Sequence, residues 1–195
     1  MAEFRHARHM YDSGFTLIEL MVTLLILAIL LAIAIPTFLG VTRAANGRVA
    51  QANLNTALLD SQNVFYTASQ AYEPTATMIT ALHSAEPTLT FKSGASTNHS
   101  QVSIYVARDY GGIVMAVQSN SKKDCWHTIV NAKVESSSSG GPAYKPYLPS
   151  TVLGVGTSYS ESKAPATGAV PACTASSLAR PSTTVVYQRN GYPAL

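Results

Sequence analysis

Charge is what this chain has little of. Only 12% of its 195 residues are Asp, Glu, Lys or Arg, about half the usual share. Lys plus Arg is 13 and Asp plus Glu is 10, a net charge of +3. Apolar residues are 47%, so the chain is not a highly charged disordered one. Nor does it carry the massed basic surface on which many nucleic-acid binders rely. Cysteine is almost absent, with Cys125 and Cys173 alone. There is no CxxC and no nearby Cys/His pairing, so no zinc-site spacing exists. His83, His99 and His127 are scattered, and none lies in HExxH. GxSxG, P-loop and GxGxxG patterns are missing, and Gly154-Val155-Gly156 reads as a turn fragment. No catalytic constellation emerges; the expectation is no enzyme, no cofactor and no metal.

Hydrophobicity is present but unevenly laid out. Leu plus Ile number 26, and 13 of them fall in the 25 residues 15–39. The first 14 residues contain none. Twenty of residues 15–39 are apolar, the exceptions being Thr16, Glu19, Thr23, Pro36 and Thr37. As a helix this run spans roughly 37 Å, enough for a ~30 Å hydrocarbon core. It shows no polar stripe, so it reads as a membrane-spanning segment. It is too long for the apolar core of a secretory signal peptide.

Glu19 is the chemically odd residue of that run. An ionised carboxylate in hydrocarbon costs several kcal/mol and is usually paired and functional. A cut between Gly14 and Phe15 would create a new α-amino group four residues before Glu19. The acid would then lie near a positive amine and a positive helix end, or face the amine of another copy and set the register of a stack.

Gly14-Phe15-Thr16-Leu17-Ile18-Glu19-Leu20 resembles the class III signal motif of type IV prepilins and type II secretion pseudopilins. Pro36, twenty-second residue of the mature chain, also matches that family. The resemblance covers about residues 10–45. It implies that a membrane prepilin peptidase cuts after Gly14 and N-methylates Phe15. It also implies an inner-membrane assembly platform, and a filament whose core is built from the apolar helices of many copies with minor pilins. Before assembly the chain would be a single-pass cytoplasmic-membrane protein in contact with lipid; afterwards it would be part of an extracellular pilus serving adhesion, motility or DNA uptake. One departure stands out. The leader's Arg5 and Arg8 are offset by Glu3 and Asp12, whereas family leaders are usually more basic.

Beyond Pro36 the pattern turns amphipathic, and the spacing predicts a helix continuing to about Ser69, kinked or locally melted at Pro36 and Gly40. Arg43 and Arg48 read as solvated charges, or as partners for Asp60 or Glu73 of neighbours. Residues 70–100 read as a connecting loop with a short helical piece at Thr77–Ser84. Gln101–Ala107 and Gly112–Ser119 flank the turn Arg108-Asp109-Tyr110-Gly111 and predict a hairpin. Cys125–Ala132 is a third strand and Thr183–Gln188 a fourth. A long helix across such a sheet makes an α+β head. The expected divisions are a removed leader (1–14), an anchor (15–39), an amphipathic helix (40–69) and a head (70–195).

Between the last two strands, Val134–Ser182 is 49 residues with 26 Ser, Thr, Gly or Pro. It reads as a long loop, with Ser136–Ser139 a candidate for O-linked glycans. An exported domain meets an oxidising setting, so Cys125 and Cys173 are expected to pair and staple this loop. The resemblance agrees, since many pilins staple a C-terminal loop to the sheet. Trp126 is expected to pack against that disulfide. Major pseudopilins often carry a C-terminal calcium loop, but residues 166–195 contain no Asp or Glu, which favours pilin over pseudopilin. A third reading is a DNA-binding minor pilin, with Arg180, Tyr187, Arg189 and Tyr192 gripping single strands beside Lys122-Lys123. The commoner explanation is tyrosines on a surface strand.

Overall fold

The computed structural model describes residues 14–107, 110–121, 123–132, 155–165, 170, 172–178 and 187–192. Leader residues 1–13, the Ser136–Ser139 run, Lys122, Arg180 and most of the expected strand 183–188 lie outside the described residues. The chain divides into two compact units, Met1–Val41 and Thr42–Leu195. Helix α1 (Leu17–Thr67) contributes residues to both.

In the first unit α1 is continuous, with no melted turn at Pro36 or Gly40. Proline removes the N–H that would reach the Ala32 carbonyl. Next to it, the Thr37 hydroxyl donates to the carbonyls of Ile33 and Ala34 at 3.2 and 2.9 Å. The Thr23 hydroxyl donates to Leu20 O at 2.9 Å. Both threonines thus satisfy themselves within the helix, as a hydrocarbon surrounding demands.

The second unit is an α+β fold. Its elements are the rest of α1, α2 (Thr75–Ala85), β1 (Thr90–Lys92), β2 (Gln101–Val106), β3 (Gly112–Gln118), β4 (Cys125–Asn131), β5 (Gly156–Ser162) and the short α3 (Ala175–Leu178). The five strands form one sheet in chain order. β1 runs parallel to β2, and every other pair is antiparallel.

Two expectations are corrected here. Residues 70–100 contain a strand, β1, and Val134–Ser182 contains β5. The second was hidden by its composition. Gly156-Thr157-Ser158-Tyr159-Ser160-Glu161-Ser162 has little apolar signal, yet all seven residues pair with β4, from Asn131↔Gly156 to Cys125↔Ser162. A strand can be polar when its neighbour supplies the ladder and small side chains suit a thin covering layer. Gly156, with φ +130, opens this strand in a conformation that other residues rarely adopt.

Each sheet face has its own core. On the first face, Ala50, Leu54, Ala57 and Leu58 of α1 and Met78 and Leu82 of α2 cluster with Val102, Ile104, Val106, Ile113, Met115, Val117, Trp126 and Val130. The buried α1 positions 47, 50, 54, 57, 58 and 61 follow helical spacing, and Gly47, Ala50, Ala57 and Ser61 are small enough for close approach. On the second face, Val114, Ala116, Cys125 and Ile129 cluster with Cys173, Ala175 and Tyr187. β3 and β4 are therefore buried at every residue.

α1 ends without glycine. Ser69 and Gln70 take φ values of 58 and 60, and the Gln70 N–H closes on Phe65 O at 3.1 Å. Ending a helix in the left-handed region costs a non-glycine residue roughly 1 kcal/mol. Tyr72 then turns inward, its N–H on Tyr110 O at 3.0 Å and its ring 4.8 Å from that of Phe65.

Candidate functional site

The N-terminal site begins just before α1. Gly14, Phe15 and Thr16 belong to no helix or strand and are exposed, Phe15 at 75%. A Cβ placed on Gly14 would touch nothing within 4 Å, and its φ is not positive. Neither packing nor backbone conformation therefore calls for glycine there.

Thr16 caps the helix. Its hydroxyl accepts the Glu19 N–H at 3.2 Å, and its carbonyl accepts the Leu20 N–H at 3.2 Å. Thr16 is thus the cap residue and Glu19 the third residue of the first turn, the spacing of a capping box. The acid also stands at the positive end of the helix. Attention to Glu19 alone missed Thr16; the signal Thr-x-x-Glu ahead of an apolar run was legible in the sequence. Pro36 lies farther along the same helix.

Every residue from Leu17 to Val41 is exposed. The apolar part of α1 is exposed along its whole length, with none of it buried. A helix of this length and composition can cross a membrane. Leu17, Ile18, Met21, Leu25, Ile33 and Phe38, each more than 60% exposed, belong to an apolar surface that runs round the helix and is left uncovered.

In the second unit, Cys125 and Cys173 form a disulfide with Cα atoms 5.5 Å apart and a sequence separation of 48. The Cys173 carbonyl accepts the Ser96 N–H at 2.8 Å. The Ser96 hydroxyl donates to Gln101 O at 2.7 Å and accepts the Gln118 N–H at 2.9 Å. The bridge is thereby tied into the ends of β2 and β3. Trp126 is not its neighbour in space. Successive strand residues point to opposite faces, so Cys125 sits on the second face and Trp126 on the first, against Tyr192.

The residues considered for gripping nucleic acid are dispersed. Tyr187 is buried on the second face, while Tyr192 packs on the first. Arg189 is exposed and donates to Val155 O at 3.0 Å. Arg43 and Arg48 are exposed on α1. Asp60 has one buried carboxylate oxygen without a partner; burial first, then Glu86, pushes its pKa up. No cluster of three or more metal-binding side chains occurs among the described residues. His83 contacts Leu89 O at 3.1 Å through Nδ1.

Residues 9–35 match a family model described as the prokaryotic N-terminal methylation motif. This is the class III signal of type IV pilins and pseudopilins. No curated protein and no solved structure matches the chain.

Proposed function

We propose that this chain is a type IV pilin, a structural subunit cut between Gly14 and Phe15 by a prepilin peptidase, N-methylated on Phe15, and assembled with other copies into an extracellular filament. The observation that carries the reading is the coincidence of three features at one place: the methylation motif, an exposed bond just ahead of a helix start, and an apolar helix surface with no cover of its own. The motif by itself supports a pilin-like or pseudopilin protein of structural rather than enzymatic kind.

Before assembly, membrane lipid would cover the apolar part of α1. In the filament, the same part of neighbouring copies would replace lipid. Glu19 would meet the methylated amine of Phe15, in its own chain or the next, and set the axial register. Arg43 and Arg48 are exposed and would pair with Asp60 or Glu73 of neighbours. The absence of acids from residues 166–195 favours pilin over pseudopilin.

Electron microscopy of sheared surface fractions, with N-terminal sequencing of the subunit, tests the proposal. Long fibres built from a chain beginning at N-methyl-phenylalanine are expected. A short, periplasm-confined assembly would indicate a pseudopilin instead, and intact Met1 in the fibre would overturn the processing step.

A further inference from the structure

Beneath the C-terminal segment, His127 is fully buried on the second face of the sheet. Neither ring nitrogen has a hydrogen-bond partner. Tyr187 lies over it, ring centroids 6.5 Å apart, and its hydroxyl is also buried without a partner. Across the sheet, His127 stands between Ala116 on β3 and Ser160 on β5. Cys125 and Ile129 flank it along β4, and Cys173 and Ala175 belong to the same covering cluster. Of the described residues placed beside it, Ala116, Ser160, Cys125, Ile129 and Tyr187, none is acidic or basic, and Tyr187 is the one that titrates.

The covering layer is held in two different ways. Residues 172–178 are tied covalently through Cys173. Residues 187–192 are tied by weaker means. Tyr159 and Gln188 exchange backbone hydrogen bonds at 2.7 and 2.8 Å. Arg189 reaches Val155 O, and the Tyr192 hydroxyl meets that of Thr128 at 2.7 Å. Tyr187 on one face and Tyr192 on the other straddle the β5 edge. The segment closes over polar atoms that lose water and gain no partner, which costs free energy on closure.

We propose that residues 187–192 form an acid-released clasp: protonation of His127 expels Tyr187 and opens the second sheet face, while the Cys125–Cys173 bridge keeps residues 172–178 in place. A charged imidazolium at this position has no counter-charge among these described neighbours, and its ring nitrogens make no hydrogen bond. Opening gives it water. Burial holds the His127 pKa down at about 3 in the closed form, against an ordinary value of about 6.5 in water. The open form therefore binds the proton first, and the opening constant grows about tenfold per pH unit below 6.5.

The test is hydrogen exchange on the full chain in detergent micelles, corrected for the intrinsic pH dependence of exchange. The Tyr159 and Gln188 amides report the clasp, and the Val114 and Met115 amides report the sheet interior. The expected result is a clasp opening constant that rises about tenfold per pH unit from 6.5 to 4.5, and that stays at least tenfold above the interior value. A flat clasp overturns the proposal. So does one shared opening constant for clasp and interior at every pH, because release would then be global unfolding. His127→Phe should abolish the slope, and a retained slope overturns the assignment. Tyr187→Phe should keep the slope and lower the opening constant at neutral pH, because one unpartnered hydroxyl is gone. Loss of slope there would overturn the role of His127. The wild-type comparison decides alone should His127→Phe fail to fold.

Discussion

Trp126 and Tyr192 meet edge to face, their ring centroids 5.7 Å apart, at the first face of the sheet. Tyr192 also lies 4.8 Å from the ring of Tyr159 and shares a hydrogen bond with Thr128. Its ring fills the space above three strand residues from a segment that forms no strand of its own. Burial pushes the Tyr192 phenol well above its ordinary pKa, so its proton stays and the hydroxyl can donate throughout the usual pH range.

Tyr192→Phe keeps the aromatic contacts and removes that hydrogen bond. A loss of about 1 kcal/mol is expected in denaturant unfolding of the second unit. Trp126→Ala empties a fully buried site and should cost about 3–5 kcal/mol. Chemical denaturation followed by circular dichroism distinguishes the two; equal losses would contradict the described packing.

Breaking Cys125–Cys173 releases a closed loop of 48 residues' separation. The chain-entropy argument puts the loss at roughly 4 kcal/mol. Unfolding midpoints with and without reductant measure it. A Cys125→Ala, Cys173→Ala double variant that no longer responds to reductant is the matching control.

Acid should weaken the fold through His127. Its folded pKa is depressed to about 3, so the folded state prefers the neutral ring. That contribution is intact above the unfolded value near 6.5 and is lost as pH falls from there towards 3. The expected slope is about 1.4 kcal/mol per pH unit from this group. Unfolding free energies measured between pH 7 and pH 4, in wild type and His127→Phe, check the sign; a wild type that is more stable at pH 4 than at pH 7 would refute it.

Gly14→Leu should leave α1 and the second unit unchanged, because Gly14 is exposed and a Cβ there meets open space. Under the proposed function it should nevertheless block processing. Mass spectrometry of the membrane fraction is expected to find the uncut chain. Normal cleavage of this variant would show that glycine is not required at the bond.

Under the proposed function, Glu19→Ala should remain membrane-inserted but grow few filaments, since no carboxylate would be there to meet the Phe15 amine. Membrane fractionation with electron microscopy provides both readouts. Abundant normal filaments would remove Glu19 from assembly. Thr16→Ala serves as comparison, because it removes the cap, at about 1 kcal/mol, and leaves the acid in place.

Some of this was determined by the sequence alone. The apolar helix, the Gly14–Phe15 signal with Glu19, the hairpin of β2 and β3, and β4 are all carried by local patterns: a long unbroken apolar run and period-two alternation of Val and Ile. Such patterns act through neighbours in the chain, so they are legible without a fold. β5 and the second core were not legible. Ser158, Tyr159 and Ser160 form a strand because β4 pairs with them, and His127 is buried on a face where Tyr187, remote in sequence, lies against it and Cys173 and Ala175 pack nearby on Cys125 and Ile129. The pairing of adjacent Cys125 and Trp126 with opposite faces likewise follows only once the sheet exists. Tertiary structure decided these features because a strand edge and a covering layer are contributions of distant residues, and no local period announces them.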